Sequence, residues 1–299
     1  MTIRIGTSEQ AGTFHSQGLA LKTIFDRRAS LGPVEVLESH SASIENANRL
    51  HAREIEFGFM AANWIGRAKN GEPPFERPIE IRLAAPMNAG PLFFIVRTDS
   101  PVYTVAELRG KRVAVGMKSS GMVQHAHTIF GVLGLNFSDF LPVYLDFAAG
   151  AAALAAGDVD AQFQCPIPNT VMTELASRID LRVLAYDEDQ LEAMVKAIPY
   201  YRLTVMRRGA LRGLDADVRQ IAVVNVLATH ESIPEPTVRE AVALIVSNAE
   251  ELGRLNPLFS GLAELFKPLR SHGPAALEFG GVELHPGALL AYREAGLLR

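Results

Sequence analysis

Glycine and small hydroxyl-bearing residues occur in several turns that follow apolar, strand-like segments and precede helix-like segments. The clearest example spans residues 116–122, with the sequence GMKSSGM, between the strand-like segment 112–115 and the helix-like segment 123–134. The first N–H groups of a helix have no partner inside that helix, and the helix dipole places partial positive charge beside them. Such a turn can bind an anion through its backbone, so the pattern predicts capture of a small acidic molecule.

Three further turns share this composition, and together the four turns give the candidate ligand-binding residues. Taken alone, each turn could equally contain an ordinary helix cap. In a doubly wound sheet the carboxyl ends of the strands share one crevice, so the whole set favours a common site. Together with Asn88, which lies outside these turns and precedes the apolar segment 92–97, the candidates are Thr7, Ser8, Thr13, Phe14, Ser41, Ser43, Ser119, Ser120, Gly121, Met122, Pro168 and Asn169.

Neutral groups are sufficient to bind an acid at such a site. Hydrogen bonds to a charged group contribute roughly 1.5–3 kcal/mol each, and a helix N-terminus contributes about 0.3–1 kcal/mol. Three or four such bonds with two helix termini reach about −8 kcal/mol, the binding free energy of a micromolar complex. An arginine is therefore not required, although Lys118 lies within the first turn.

The same turns lack the residues that common catalytic motifs need. Residues 116–121 have the Gly-x4-Gly spacing of a phosphate-binding loop, but Met122 stands where that motif has its lysine. His125 and His127 are two positions apart, so a helix would point them to different sides. Cys165, the only cysteine, would need a positioned histidine to act as a nucleophile. We therefore expect a binding protein without metal or cofactor, not an enzyme.

Composition argues against other classes of protein. The chain has 299 residues, 48% of them hydrophobic, which is enough for one large domain or two smaller ones. A net charge of −4 and a pI of about 6.1 argue against a nucleic-acid partner. No apolar segment reaches the ~18 residues that a membrane-spanning helix needs. Residue 1 leads directly into a strand pattern, so we expect either a cytoplasmic protein or one whose leader was removed.

Strand-like and helix-like segments alternate along the chain, which predicts parallel strand pairing with helical crossovers. Two long apolar segments, 92–97 and 221–227, bracket a self-contained α/β set. This arrangement predicts two α/β lobes, one formed by 1–97 with 226–299 and the other by 98–225. Two crossings between the lobes would act as a hinge, with the ligand in the cleft between them.

Five segments in chain order resemble motifs of the TAXI group of solute-binding proteins, which serve TRAP-type transporters and are NMT1-like. They are 6–18, 41–46 (SASIEN), 108–116 (LRGKRVAVG), 157–169 (beginning GDVDA and ending PN) and 285–296 (beginning HPGA and ending YREAG). The resemblance implies a two-lobed, type II periplasmic-binding-protein-like α/β fold, each lobe a mostly parallel sheet flanked by helices. It also implies a periplasmic location after leader removal, binding of carboxylates such as glutamate or 2-oxoglutarate, and an integral-membrane permease as partner.

Two other functions remain open at the level of the sequence. One is the substrate-binding component of an ABC importer for a sulfonate, an aromatic acid or a pyrimidine precursor, and the other is a cytoplasmic enzyme on the same fold. Residues 87–91 (MNAGP) and 119–122 (SSGM) differ from the TAXI pattern. With Phe14, the methionines in these segments favour a less polar or aromatic acid. We expect the protein to act as a monomer.

Overall fold

Strands and helices alternate over most of the chain. A computed structural model describes residues 2–10, 12–118, 120–164 and 167–299. Within these residues the strands are β1 (Ile3–Gly6), β2 (Val34–Leu37), β3 (Phe57–Ala61), β4 (Ile81–Arg97), β5 (Arg112–Ala114), β6 (Leu141–Val143), β7 (Ala161–Gln164), β8 (Leu181–Val183), β9 (Tyr201–Met206) and β10 (Val218–His230).

The described residues also form α-helices on either side of these strands. They are α1 (Thr13–Phe25), α2 (Ser43–His51), α3 (Ala62–Asn70), α4 (Gly121–Val132), α5 (Phe147–Ala156), α6 (Thr170–Arg178), α7 (Glu188–Ala197), α8 (Glu235–Ser247), α9 (Ala249–Leu255), α10 (Leu262–Phe266), α11 (Leu269–His272) and α12 (Pro286–Glu294). No helix in the described part of the chain is long and apolar enough to cross a membrane. The protein therefore has an α/β fold.

The chain divides into two compact units. Unit 1 consists of Met1–Ala89 together with Val223–Arg299, and unit 2 is the continuous segment Gly90–Ala222. Strands β4 and β10 contain the two positions at which the chain passes from one unit to the other. Unit 1 is thus discontinuous in sequence, and unit 2 is not.

The sheet of unit 1 has the strand order β2-β1-β3-β10. Strand β1 is parallel to β2 and to β3, with Gly6 opposite both Leu37 and Gly58. Strand β10 is antiparallel to β3. The carboxyl ends of β1, β2 and β3 therefore lie along one edge of the sheet, from which the chain enters α1, α2 and α3.

The sheet of unit 2 repeats this connectivity, with the order β6-β5-β7-β4. Strand β5 is parallel to β6 and β7, and β4 is antiparallel to β7. Strand β5 therefore corresponds to β1, β6 to β2, β7 to β3 and β4 to β10. Strands β8 and β9 are additions, β8 pairing with β4 and β9 with β10. The two units are topological repeats, although no sequence repeat is visible between them.

One ion pair occurs at the same register in both repeats. In unit 1 the Arg4 guanidinium donates to the Glu56 carboxylate at 2.8 and 3.1 Å, and its backbone N–H donates to that carboxylate at 2.7 Å. In unit 2 Arg112 and Asp160 make the same three contacts at 2.8, 3.2 and 2.7 Å. The Arg112 guanidinium lowers the pKa of the Asp160 carboxyl. Both pairs link the start of a central strand to the segment that enters its parallel neighbour.

The core of each unit follows from the alternation of its strand residues. In β1 and β3 the side chains of Ile3, Ile5, Phe57 and Phe59 are fully buried. In unit 2, apolar side chains from β4, β5, β8, α5 and α6 form a continuous cluster, in which Leu154 and Met172 are fully buried. Gln164 and Gln162 of β7 pair with Phe93 and Ala114 of this cluster, so these alternate positions of β7 lie on the same face of the sheet.

Candidate functional site

Thr7, the first residue after β1, lies at the centre of the carboxyl edge of unit 1. Its side chain is fully buried, and its hydroxyl donates to the Leu37 carbonyl at 2.9 Å. The Thr7 carbonyl accepts from the Ser39 hydroxyl at 2.7 Å. The sequence named Thr7 as a ligand-binding residue, and the structure places it where it joins the ends of β1 and β2.

Asn46 of α2 extends these contacts to β3. Its side-chain amide donates to the carbonyls of Thr7 and Phe59, at 2.8 and 2.9 Å. Gly6 leaves the room that this amide needs, since a Cβ there would lie 2.5 Å from Asn46 Oδ1. A Cβ on Gly58 would lie 3.1 Å from the Asn46 Cβ. The edge of unit 1 is therefore organised by one buried asparagine, which the sequence did not single out.

The predicted residues of α2 lie beside Asn46. The Ser43 hydroxyl oxygen accepts from the Ala61 N–H at 3.0 Å and is buried, which leaves its proton available for another acceptor. Ser41 is exposed. Between them Ala42 has φ +43°, a conformation that alanine rarely adopts. Strained backbone of this kind is concentrated at binding and active sites.

The predicted residues of the first loop surround the start of α1. The Ser8 hydroxyl oxygen accepts from the His15 N–H at 3.2 Å and so caps the helix from outside. Thr13 is half-buried at the first helical position. Phe14 is buried and stacks on Phe59, with ring centroids 5.4 Å apart. Phe14 therefore packs in the core, and its side chain could contact a ligand only from beside the carboxyl edge.

A buried cluster of side-chain amides occupies the same part of unit 1. Asn88 Oδ1 accepts from Gln17 Nε2 at 3.4 Å and from Asn225 Nδ2 at 3.2 Å. Gln17 Oε1 is buried and has no hydrogen-bond partner among the described residues, and the same holds for Asn63 Oδ1 at the start of α3. Unpaired buried acceptors destabilise a protein unless a bound group supplies the missing donor. The sequence named Asn88 and missed the other three, although Asn225 interrupts an apolar strand and was a detectable signal.

Unit 2 contains the glycine- and serine-rich turn of residues 116–122. The Ser120 hydroxyl accepts from the Val123 N–H at 3.3 Å, so Ser120 is the N-cap of α4, with Gly121 as the first helical residue and Met122 buried. Gly116 has φ +99°, and a Cβ there would lie 2.8 Å from Ser120 Oγ. The predicted Ser119 lies outside the described residues. The turn geometry requires glycine and places a helix N-terminus at the carboxyl edge of β5.

Two further helices of unit 2 begin at the same edge. Asp146 caps α5 by accepting from the Ala149 N–H at 2.7 Å, and Asn169 caps α6 by accepting from the Met172 N–H at 2.8 Å. Pro168, also predicted, directly precedes this cap. Because Asp146 already places a carboxylate at the start of α5, the N-termini of α4 and α6 are better suited to an anion.

A cation and an aromatic ring lie beside this turn. The Lys118 ammonium lies 5.3 Å from the centroid of the Tyr144 ring, a cation–π contact. Both residues follow parallel strands at the carboxyl edge, β5 and β6. Among the described residues, no group of three or more His, Cys, Asp or Glu could bind a metal ion. The arrangement therefore offers hydrogen-bond donors, one cation and one ring, which are the means of binding a small acid.

His125 of α4 is a buried ionisable group in unit 2. Its Nδ1 lies 2.8 Å from the hydroxyl of Tyr201 in β9, and burial lowers the pKa of His125 from 6.5 to about 4. Folding therefore favours the neutral imidazole, whereas the unfolded chain takes up a proton below pH 6.5. The contribution of neutral His125 to the free energy of unfolding is therefore complete above pH 6.5. It decreases as the pH drops towards 4, by at most about 1.4 kcal/mol per pH unit.

We expect His125→Asn to flatten the decrease in melting temperature between pH 7 and pH 4.5. The asparagine keeps a hydrogen-bonding group near Tyr201 but cannot take up the proton. Burial also lowers the pKa of His230 and His285 in unit 1, so the measured quantity is the difference from the parent protein. His127→Asn, at an exposed position on the same helix, is the control for replacing a histidine of α4 by asparagine. An unchanged slope in His125→Asn would show that this residue is not the group that titrates.

Several solved structures share this fold. The periplasmic aliphatic sulphonate-binding protein SsuA of Escherichia coli is 20% identical, with 87% of this chain and 79% of that chain covered and a TM-score of 0.53. A putative periplasmic sulfonate-binding protein of Methylobacillus flagellatus is 14% identical, with 99% and 95% covered and a TM-score of 0.53. A structure described as the basis of glutathione import through GshT in Streptococcus mutans is 12% identical, with 88% and 95% covered and a TM-score of 0.54.

These likenesses establish the fold as that of periplasmic binding proteins, and at such low identity they establish the fold alone. The sequence resembles TAXI proteins, which are NMT1-like, and a family model tests directly whether this chain is NMT1-like. The model described as the NMT1-like family matches residues 5–296, which is nearly the whole chain. The chain therefore belongs to the NMT1-like family.

Proposed function

We propose that this protein is an extracytoplasmic solute-binding receptor that captures a small organic acid and delivers it to a membrane transporter. The observation that carries the proposal is the buried amide cluster of Gln17, Asn88 and Asn225 in unit 1, in which Gln17 Oε1 has no partner within the described residues. Asn63 Oδ1, at the start of α3 in the same unit, is likewise buried without a partner there. A ligand with N–H or O–H groups would supply the missing donors. No catalytic step is needed to explain these groups.

The turn of residues 116–122 in unit 2 is the reason for proposing that the ligand is an acid. The N-terminus of α4 presents N–H groups beside Ser120, and Lys118 adds a positive charge close by. Each hydrogen bond to a charged group contributes about 1.5–3 kcal/mol, and the helix terminus adds about 0.3–1 kcal/mol. A few such contacts are sufficient for micromolar affinity once the cost of ordering the ligand is included.

An ABC importer is the transporter that we favour as partner. SsuA from Escherichia coli is described as binding aliphatic sulphonates, and the Streptococcus mutans structure as part of import through a cystine ABC importer. A TRAP-type permease is the second candidate, supported by the ordered TAXI-like segments between residues 6 and 296. A gene for an ATPase beside this one would favour the first, and a gene for a large permease without an ATPase would favour the second.

A calorimetric screen tests the receptor function directly. The probes are taurine, ethanesulfonate, glutamate, 2-oxoglutarate, benzoate and glutathione, each titrated into the folded protein. We expect at least one to bind with a Kd in the micromolar range, since the donor groups described above are sufficient for it. A folded protein that binds none of them more tightly than about 1 mM would contradict the proposal.

We expect Ser120→Asp to weaken binding of the acid about tenfold or more, whereas Ser120→Asn should bind like the parent. Both side chains can cap α4 as Ser120 does, so the helix is retained in each. Only the aspartate places a negative charge next to the position proposed for the ligand's acid group, and neighbouring like charges repel each other. The comparison uses calorimetry with the best ligand of the screen. Equal affinities of the two variants would place the acid group elsewhere.

A further inference from the structure

Gln164 is an unexplained polar residue in the core of unit 2. It is the last residue of β7 and is fully buried, yet neither its Oε1 nor its Nε2 has a hydrogen-bond partner among the described residues. An amide that is removed from water without partners lowers the stability of the folded protein. A residue of this kind in a well-formed strand therefore needs an explanation outside folding.

The position of Gln164 is set by strand pairing. It lies opposite Phe93 of β4, so the two side chains share one face of the sheet. Ala114 of β5 pairs in parallel with Gln162, and two residues further along each segment Gln164 is level with Gly116. Gln164 therefore lies at the carboxyl edge, beside the turn that leads to the N-cap of α4.

The topological repeat shows that the fold does not require a polar residue here. Arg4 and Glu56 correspond to Arg112 and Asp160 in register, which makes Met60 of β3 the counterpart of Gln164. Met60 is fully buried and apolar. One unit of the same topology is thus built with a methionine where the other has an unpaired glutamine.

The neighbouring glutamine of β7 is explained by the same comparison. Gln162 corresponds to Gly58, and its Nε2 donates to the Phe147 carbonyl at 2.9 Å. Gly150 of α5 leaves room for it, since a Cβ there would lie 2.5 Å from Gln162 Nε2. In unit 1 the glycine is on the strand and Asn46 on the helix supplies the amide. Gln162 is therefore held in place by a hydrogen bond to α5, although its Oε1 is buried without a partner among the described residues. Gln164 differs in that neither end of its amide has a partner among those residues.

We propose that Gln164 is a specificity-determining residue that binds the ligand through both ends of its amide. This inference rests on the proposed receptor function. The Nε2 donates to an oxygen of the acid group, and the Oε1 accepts from an N–H or O–H carried close to that group. The ligand class is therefore an organic acid with a neighbouring donor, such as an amino or hydroxy acid or an aminosulfonate, in preference to the plain acid.

The test compares Gln164→Met with the parent protein. Melting temperature is measured without ligand, and affinity is measured by calorimetry for matched pairs: glutamate against glutarate, malate against succinate, and taurine against ethanesulfonate. Gln162→Met is the matched control, because it removes a hydrogen bond that the structure contains. Methionine is chosen because the counterpart position already accepts it.

We expect the parent to prefer the donor-bearing member of at least one pair by about tenfold or more, and Gln164→Met to lose that preference. The unliganded melting temperature of Gln164→Met should equal or exceed that of the parent, whereas that of Gln162→Met should fall. A retained preference, or a fall in stability like that of Gln162→Met, overturns the role of Gln164. If the parent binds the acids without any preference, only the proposed role of Gln164 is overturned. If the parent binds none of the acids, the proposed receptor function is overturned as well.

Discussion

Gly287→Ala should lower the stability of the protein by about 1–3 kcal/mol or more, although it adds a single methyl group. Gly287 lies in the first turn of α12, which packs against α8. A Cβ there would lie 2.3 Å from the Glu235 carbonyl oxygen and 2.8 Å from the Arg239 backbone N. These are backbone atoms, so the two helices can accept the methyl group only by moving apart. Denaturant unfolding of unit 1 measures the loss.

Gly131→Ala is the matched control for that substitution. Gly131 is inside α4, and a Cβ there would meet nothing within 4 Å. Alanine in an open helical position should stabilise the protein by roughly 0.5–1 kcal/mol, because it restricts the unfolded chain and favours the helix. The two changes are chemically identical and should shift stability in opposite directions. A Gly287→Ala protein as stable as the parent would contradict the close packing of α8 and α12.

Asn46→Ala should destabilise unit 1 by about 2–4 kcal/mol, the second large effect that we expect. The substitution removes two buried hydrogen bonds and leaves the Phe59 carbonyl without the side-chain donor that reaches it from α2. It also opens a small cavity beside Gly6 and Gly58, because the Asn46 side chain occupies the space that these glycines leave free. The free energy of unfolding in urea is the appropriate measurement.

Two variants make this result specific to the amide. Asn48→Ala, at an exposed position on the same helix, should change stability by no more than about 0.5 kcal/mol. Asn46→Asp keeps the shape but turns an oxygen towards two carbonyl oxygens, so it should be at least as harmful as Asn46→Ala. If Asn46→Asp were as stable as the parent, the two bonds would not be what holds β1 and β3 together at this edge.

Local patterns predicted most of the individual elements. The sequence VEVL over 34–37 is typical of a strand and forms β2, and the capping box that Thr104 and Glu107 indicate is present. The Ala-rich segment 148–156 is typical of a helix, and Gly157 ends α5 in the left-handed conformation, as glycine commonly does. Each of these features depends on residues within a few positions of one another, which is why the sequence alone was informative.

Elements that depend on distant partners were missed or misjudged. Strand β9 alternates Tyr201, Leu203 and Val205 with polar residues, a strand pattern that was overlooked, and it pairs with β10. The segment 238–255 has the apolar pattern of one long helix but forms two, α8 and α9, because Asn248 ends the first by donating from its side chain to the Leu244 carbonyl at 2.8 Å. An apolar pattern continues across such a break and therefore conceals it.

The residues of the candidate site also fall into two groups, those that local signals predict and those that depend on distant partners. The caps Ser120 and Asn169 were predicted because a helix start is a local signal, and the structure places both at the carboxyl edge of unit 2. The amide cluster joins Gln17, Asn88 and Asn225, which are far apart in the chain, so no spacing rule connects them. The likeness of the two units was also hidden, because it resides in strand order and register and not in residue identity.

The discontinuity of unit 1 determines the order in which the nascent chain can be completed on the ribosome. The part of β10 that pairs with β3, residues 225–229, is translated only after the whole of Gly90–Ala222. Unit 2 therefore has all its residues while unit 1 still lacks one strand of its sheet, and domains generally fold as units during translation. The gene segment for 90–222 can be expressed by itself, whereas the other unit needs a new peptide link between Ala89 and Val223.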